Sequence, residues 1–382
     1  MLSLTRWIRL SCLVAMASAR LPGQVLANEF LDDSKIQVIH LTLDPQDWAM
    51  LQRDYLLDTY YQATFTWNGV SQSLGIRSRG GASRSPIKPN LDLSFGRYDK
   101  TQNMLGLPFV VLKANNQDPS ALREWIAMKL FRAMGIPAPR EAPAQLYVNG
   151  QYLGFYFIVE HVDSAFLKRV LGESGGYLYK WTRTELFYNF ENLGSDPNLY
   201  AQFLELKSDQ ASPDLQTFAD LVQVINRPSA PDFTDQDFIR ALSKYINPRQ
   251  FLYYCAIEEA LGNLDSLAGG IVGVNNLYLY QFQNTTRYYL FPWDLDMTLS
   301  VGDRDILMGI SGGPNINLLM KRLFAIPEYA QVYLDALVQA GTVMGGADGW
   351  ADRAIVREYK LIRDAATNDP HKQCSVSGAL QP

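Results

Sequence analysis

The chain has 382 residues, of which 47% are hydrophobic and 19% are charged, and its formal net charge is −5. This composition is typical of a globular protein with one large domain or two ordinary ones, and it excludes a disordered chain. The negative charge argues against a dedicated nucleic-acid-binding protein, which usually has a basic face. With three histidines in all, the chain cannot form a histidine-rich metal site, so acid–base or metal chemistry falls to carboxylates.

The N-terminus has the pattern of a secretory signal peptide, which we assign to residues 1–27. Two arginines precede a short apolar run, and small residues suitable for cleavage follow at positions 25–27. We therefore expect the mature chain to begin near Asn28 and to be secreted or periplasmic. No later segment has the roughly 18 apolar residues that a membrane-spanning helix needs. Cys255 and Cys374 lie in the mature chain, and the sequence leaves open whether they form a disulfide.

The first half of the mature chain has mainly the alternation of polar and apolar residues that predicts strands. Two hairpins are expected around the Asn-Gly pairs at positions 68–69 and 149–150. A helix is predicted over residues 119–134, because Asp118 is a good N-cap and Pro119 suits the first helical position. Further elements are expected as strands at 35–41, 91–95 and 109–113 and as a helix at 164–171.

After about residue 190 the pattern changes to that of amphipathic helices. Helices are predicted at 215–225, 235–245, 248–261 and from 317 onward, with strands at 276–281 and 288–292. The order of elements predicts an α+β fold in which a sheet-rich N-terminal lobe precedes a helix-rich C-terminal lobe.

Three segments carry residues suited to phosphate binding or catalysis. Residues 77–85 form a loop rich in glycine and arginine, which suits phosphate but also fits a solvated surface turn. Lys113 ends an apolar strand, where it either extends to water or is held over phosphate groups. Asp265 lies in a polar loop after a predicted helix, either in a simple turn or as a catalytic carboxylate.

A fourth segment, Phe291-Pro292-Trp293-Asp294-Leu295-Asp296, brings two carboxylates to the end of an apolar strand. In an extended chain both would face the same side, and a bound cation would relieve their repulsion. Their oxygen ligands suit Mg²⁺, Mn²⁺ or Ca²⁺. The alternative is that both aspartates cap a turn. Together the four segments contain the parts that phosphoryl transfer needs.

The order of these motifs resembles that of the spore coat protein H (CotH) family over roughly residues 35–325. The resemblance is carried by five segments, namely Arg77-Ser78-Arg79-Gly80-Gly81 with Lys88-Pro89, residues 113–123, the hairpin at 147–156 with Glu160, Asn263-Leu264-Asp265-Ser266 with Asn275-Asn276, and residues 291–296.

The family has an atypical protein kinase-like fold. The resemblance therefore implies one kinase-like unit over residues 28–382, with its sheet-rich lobe at 28–160 and its helix-rich lobe at 161–382. It implies a secreted, spore coat-like protein kinase that uses ATP and Mg²⁺ or Mn²⁺ on an extracytoplasmic protein substrate. Of the site residues, Asp265 would orient the attacking hydroxyl, and the metal would be held by Asn276 and Asp294 with Asp296 nearby.

The resemblance also assigns the nucleotide contacts. Arg79 and Lys113 would face the phosphates, with Lys88 able to substitute for a missing basic residue. The segment from Glu160 to Val162 would form the hinge beside adenine, and Asp163 would reach the ribose.

Three departures from the family pattern favour other readings. Asn90-Leu91-Asp92-Leu93-Ser94 lacks the alternating lysines that many members have after Lys-Pro, Gly81-Ala82-Ser83 stands where an asparagine is common, and Asn275 replaces a frequent histidine. The chain is therefore alternatively a catalytically weak or inactive kinase-like scaffold that binds envelope or extracellular partners. A third reading is a calcium-stabilised binding domain in which Asp294 and Asp296 are structural.

Overall fold

The structure is a computed structural model that describes residues 27–185, 187–268, 272–300, 302–303, 305–311 and 315–372. The predicted signal peptide up to residue 26, and Cys374 with its predicted disulfide option, lie outside the described residues. Within them the fold is a mixture of α-helices and β-strands, as the sequence predicts. No helix in this described part is long and apolar enough to cross a membrane.

The first seven strands close into a barrel in the order β1-β2-β3-β4-β5-β7-β6. Neighbouring strands are antiparallel except β1 and β6, whose parallel pairing closes the barrel. The strands are β1 (Gln37–Thr42), β2 (Tyr61–Trp67), β3 (Val70–Ser78), β4 (Leu91–Ser94), β5 (Phe109–Lys113), β6 (Glu141–Val148) and β7 (Gln151–Glu160).

Both predicted hairpins are present in the barrel. Asn68 and Gly69 have φ angles of 46° and 76°, and Asn149 and Gly150 have φ angles of 49° and 80°. Two consecutive residues with positive φ form the turn whose twist matches a two-residue hairpin, and Asn-Gly adopts it at low cost. The carbonyl oxygen of the Asn149 side chain also accepts a hydrogen bond of 2.9 Å from the Leu43 N–H, which ties the second turn to the end of β1.

Helix α1 (Pro45–Arg53) was not predicted, although its start signal is present in the sequence. Asp44 caps it by accepting a hydrogen bond of 2.7 Å from the Gln46 N–H, and Pro45 occupies the first turn. The alternating pattern on both sides of this helix obscured a short element with only one buried side chain, Leu51.

Helix α2 (Arg123–Ala133) begins four residues later than predicted. Asp118 does accept backbone hydrogen bonds, of 2.9 Å from Ser120 and 2.8 Å from Arg123, but they close a separate turn before the helix. Ala121 has a φ of 57°, a left-handed conformation that cannot continue a right-handed helix. The prediction of a start at Pro119 is therefore wrong.

The second half of the chain surrounds a four-stranded antiparallel sheet of order β11-β10-β8-β9. Strands β10 and β11 and most helices lie where they were predicted, whereas β8 and β9 were not predicted. The strands are β8 (Tyr177–Trp181), β9 (Leu204–Leu206), β10 (Leu277–Gln281) and β11 (Tyr288–Pro292). The helices are α3 (Ser164–Leu171), α4 (Leu215–Asn226), α5 (Asp235–Leu242), α6 (Pro248–Ala260), α7 (Leu318–Phe324), α8 (Pro327–Met344) and α9 (Trp350–Thr367).

The core of this second half packs the sheet against α4, α6, α7 and α8. Cys255 lies in it, fully buried and without a disulfide partner among the described residues. Helix α9 returns to the barrel and packs against α2 and β7. This return places the C-terminal helix next to the strand that leads out of the barrel.

Candidate active site

A cavity of about 570 Å³ is lined on one side by the barrel and on the other by the four-stranded sheet. Its size falls within the range of small-molecule sites in proteins. Six of the predicted site residues line it, namely Arg79, Lys113, Asp265, Asn276, Asp294 and Asp296. Four others, Lys88, Glu160, Val162 and Asp163, are not part of its lining.

Strand pairing brings Asn276 and Asp294 together. Leu277 at the start of β10 is paired with Pro292 at the end of β11, so the residues just outside both ends are neighbours. Asn276 Nδ2 donates a hydrogen bond of 3.2 Å to the backbone oxygen of Asp294. Both residues have a φ of 57°. Left-handed residues other than glycine are uncommon, and they concentrate at functional sites.

Asp265 is fixed by the two asparagines that precede β10. Its Oδ1 accepts a hydrogen bond of 2.7 Å from Asn275 Nδ2, and its Oδ2 accepts one of 3.0 Å from Asn276 Nδ2. Burial raises the pKa of Asp265, and the Asn275 amide opposes this shift. The Asn275 that replaces a frequent family histidine thus orients the predicted catalytic carboxylate.

Lys113, at the end of β5, lies among three carboxylates. Its ammonium group contacts Glu124 Oε2 and Asp294 Oδ1 directly and lies 3.2 Å from Asp296 Oδ2. Burial alone would lower the pKa of Lys113, but the carboxylates outweigh burial and raise the pKa well above its usual value. The predicted phosphate-binding lysine therefore already has anionic partners within the protein.

Glu124 is a cavity residue that the sequence interpretation missed. It lies in the first turn of α2 and is 5% exposed. Burial raises its pKa to about 7, against the opposing effect of Lys113. A signal was present, because an acidic residue directly before the apolar run Trp125-Ile126-Ala127 is unusual at a buried position.

The two aspartates of the Asp294-Leu295-Asp296 segment differ in environment. The Asp294 side chain is 44% exposed and that of Asp296 only 6%. Burial would raise the pKa of Asp294, but the charge of Lys113 outweighs it and lowers the pKa. For Asp296 burial prevails and the pKa is raised. Asp294 is therefore the carboxylate held ionised and open to the cavity.

These residues have the donor atoms that a hard divalent cation prefers. Asn276 Nδ2 donates to Asp265 and to the backbone oxygen of Asp294, so Oδ1 is the atom of this side chain that is suited to a cation. In the described part of the chain, no group of three or more His, Cys, Asp or Glu side chains is arranged to hold a metal ion. Mg²⁺ is often bound by one or two carboxylates together with substrate phosphates and water, so the pair fits such an ion.

The glycine-rich loop lines the cavity with Arg79 at its start. Arg79 Nη1 lies 2.8 Å from Asp92 Oδ1, and its guanidinium group lies 5.3 Å from the centre of the Trp293 ring. Arg84 Nε donates a hydrogen bond of 2.8 Å to the carbonyl oxygen of Gly80. Gly80 has a φ of 110°, where a side chain would be strained. The loop is thus shaped by its own arginine and glycine.

Lys88 lies away from this cavity and lines a second one, next to α9. Its Nζ is 2.7 Å from Asp369 Oδ2 and donates a hydrogen bond of 3.0 Å to the Ala114 carbonyl oxygen. Both charged side chains are almost fully buried. Lys88 therefore connects the barrel to the segment after α9.

The predicted hinge residues are also engaged by the protein itself. Glu160, 1% exposed, forms ion pairs of 2.8 Å with Arg140 and 2.6 Å with Arg169. Val162 is fully buried. Asp163 caps α3 by accepting hydrogen bonds from the N–H groups of the second and third helical residues, at 2.9 and 3.1 Å. Their side chains hold the segment between β7 and α3 in place.

Comparison with known proteins gives a family match over most of the chain. A family model described as CotH kinase protein matches residues 76–377. Inner spore coat protein H of Bacillus subtilis strain 168 is 22% identical over 350 residues, which cover 90% of this chain and 91% of that protein. A crystal structure of the Helicobacter pylori proinflammatory kinase CtkA aligns with 11% identity and a TM-score of 0.31, covering 76% of this chain and 90% of that one. That TM-score is too low to support a statement about the fold.

Proposed function

The chain belongs to the CotH family of kinase-like proteins, and from this premise we propose that it transfers the γ-phosphate of ATP to a protein hydroxyl with the help of Mg²⁺ or Mn²⁺. The observation that carries the proposal is the meeting of Asp265, Asn276 and Asp294 through hydrogen bonds in one cavity. Phosphoryl transfer depends on such a positioned aspartate next to metal-holding oxygen atoms. We also propose the kinase-like arrangement of lobes at 28–160 and 161–382.

Each residue of the cavity has a role in this proposal. A bound divalent cation would neutralise the charge of the phosphates. Asn276 Oδ1 and the Asp294 carboxylate would hold the cation. Asp265, oriented by two asparagine amides, would position the acceptor hydroxyl and accept its proton. Lys113 would keep Asp294 ionised and in place.

The proposed location is extracytoplasmic. The N-terminal pattern of a signal peptide supports secretion or export to the periplasm. The name of the relative, inner spore coat protein H, supports an acceptor protein in an outer layer of a cell or spore. The acceptor would therefore be an extracytoplasmic protein with an accessible hydroxyl group.

Transfer of phosphate from γ-labelled ATP to a generic protein acceptor, with Mn²⁺, tests the proposal. Purified wild-type chain should show transfer, and Asp265→Ala and Asp294→Ala should both lose it. Asp232→Ala is the control, because that side chain is 82% exposed on the surface. Full activity in both cavity variants would show that the assignment is wrong.

A specific observation favours the alternative of a weak or inactive scaffold. The three cations that were expected to face phosphate, Arg79, Lys88 and Lys113, are all paired with carboxylates of the protein. A scaffold would bind envelope or extracellular partners without turnover. Melting curves that do not change with ATP and Mn²⁺ would favour the scaffold, because a ligand of the folded state must stabilise that state.

A further inference from the structure

Lys180 lies on β8 and lines the candidate cavity from the side of the four-stranded sheet. In the register of that sheet it is paired with Tyr278 on β10 and with Glu205 on β9. Tyr278 follows Asn276 by two residues, so Lys180 belongs to the strand next to the proposed metal-holding segment. Lys180 was not among the site residues predicted from the sequence.

The cavity contains several cations, and most of them are already paired. Lys113 contacts three carboxylates, Arg79 is paired with an aspartate of β4, and Lys207 contacts Glu205. Among the described residues, no carboxylate lies within ion-pairing distance of the partly buried Lys180 or of the exposed Arg183, which also line the cavity.

The surroundings of Lys180 favour a bound anion. Burial lowers the pKa of Lys180, and the positive charge of Arg79 lowers it further, while the carboxylates of Asp294 and Glu205 oppose both effects. Lys180 and Arg79 line the same cavity, and Lys180 has no carboxylate of the described residues in direct contact. An anion in the cavity would stabilise both positive charges at once.

We propose that Lys180 binds the phosphate chain of the nucleotide. The sequence predicts Lys113, or Lys88 as a substitute, in this role, but both form ion pairs with carboxylates of the protein. The inference rests on the proposed function, since it takes the anion to be ATP. An ammonium group offers three donors and a compact charge, which suits a phosphate group. Lys180 would then approach the phosphates from the sheet, opposite the glycine-rich loop of the barrel.

Binding of ATP to the full chain in the presence of Mn²⁺, measured by titration calorimetry, tests this inference. Lys180→Met removes the charge and should weaken ATP binding by roughly 10- to 100-fold, the usual effect of losing a hydrogen bond to a charged group. Lys180→Arg should restore most of the affinity. Lys360→Met is the control, because that lysine is exposed on α9 and does not line the cavity.

Two further readouts separate phosphate binding from a merely structural role. Adenosine, which has no phosphate, should bind Lys180→Met and wild type equally well. Without ligand, Lys180→Met should have a melting temperature no lower than that of wild type. Methionine replaces a partly buried cation that has no carboxylate partner. Equal ATP affinity in the variant and wild type would overturn the inference and leave the proposed function intact. An equal loss of ATP and adenosine binding would also overturn it. Absence of ATP binding to wild type would overturn the proposed function and, with it, this inference.

Discussion

Replacing Lys113 by methionine should destabilise the protein and make its stability depend strongly on pH. The ammonium group of Lys113 contacts Glu124 and Asp294 and lies 3.2 Å from Asp296. Methionine has a similar length and no charge, so the substitution removes the ion pairs and leaves most of the apolar contacts. The carboxylates then remain close together without a counter-charge.

The size of the stability loss in Lys113→Met follows from the burial of the carboxylates around the lysine. Glu124 and Asp296 are 5% and 4% exposed, so two of the three carboxylates cannot regain full hydration when the lysine is removed. Breaking a buried ion pair by removing one partner costs about 3–5 kcal/mol. The pKa of Glu124 is already raised to about 7 with Lys113 present, and it rises further in the variant. Ionisation of Glu124 therefore opposes folding, and the loss of stability grows as the pH rises through that pKa.

Urea denaturation of wild type and Lys113→Met at pH 5 and pH 8 measures the effect. We expect the larger loss at pH 8, where the unpaired carboxylates are ionised, and a smaller loss at pH 5, where they can bind protons. Lys207→Met is the control, because its partner Glu205 is 52% exposed and such pairs contribute at most about 1 kcal/mol. A loss below about 1 kcal/mol at pH 8 in Lys113→Met would refute the reasoning.

Three other predictions concern stability. Asp369→Asn should lower the free energy of unfolding, measured with urea, by about 3 kcal/mol, because Lys88 stays buried without its partner at 2.7 Å. The double variant with Lys88→Met should lose less stability than the sum of the two single variants. Gly154→Ala should be destabilising in the same assay, since Gly154 has a φ of 147° and a Cβ there would lie 2.6 Å from the Asp369 carboxylate; a neutral effect would contradict the close packing. Burial raises the pKa of Asp163 from 3.8 to about 7, so wild type should lose stability as pH rises through that window. Asp163→Asn keeps a helix cap and should lack this loss, and parallel pH profiles of the two proteins would contradict the shift.

Local signals predicted many of the elements. The Asn-Gly pairs located both hairpins, and α3 has the predicted bounds 164–171, with the left-handed Gly172 directly after it. These signals are informative because turns and helix ends depend on the backbone angles that single residues prefer. They failed before α2, where the left-handed Ala121 separates the capping turn from the helix. Nothing in the identity of an alanine indicates such a conformation.

The site was predicted in part, because its residues are distant in sequence. Family resemblance led to Asp265, Asn276 and Asp294. The pairing of β10 with β11 brings Asn276 and Asp294 together, and a hydrogen bond from Asn276 adds Asp265. The partners of the basic residues could not be predicted, since they depend on strand register and on the return of α9. Asp92 illustrates this. It lies in a strand where many family members have alternating lysines, and the lack of those lysines suggested a weakened site.

In the structure Asp92 has a definite function in the barrel. Its carboxylate lies 2.6 Å from Arg77 Nη2 and 2.8 Å from Arg79 Nη1. The pairing of β3 with β4 places Asp92 directly opposite Arg77. Asp92 therefore orients two arginines at the base of the glycine-rich loop, and the change from the family pattern redistributes charge instead of only removing it.

The most direct test of the central proposal is the melting temperature with and without ATP and Mn²⁺, for wild type beside Asp294→Ala. A ligand at about 100 times its dissociation constant stabilises the folded state by about 2.7 kcal/mol, enough for a shift of several degrees. We expect that rise in wild type, and little or none in Asp294→Ala, because the cation would lose its exposed carboxylate ligand. An equal rise in both proteins would contradict the assignment of Asp294, and no rise in either would contradict nucleotide binding.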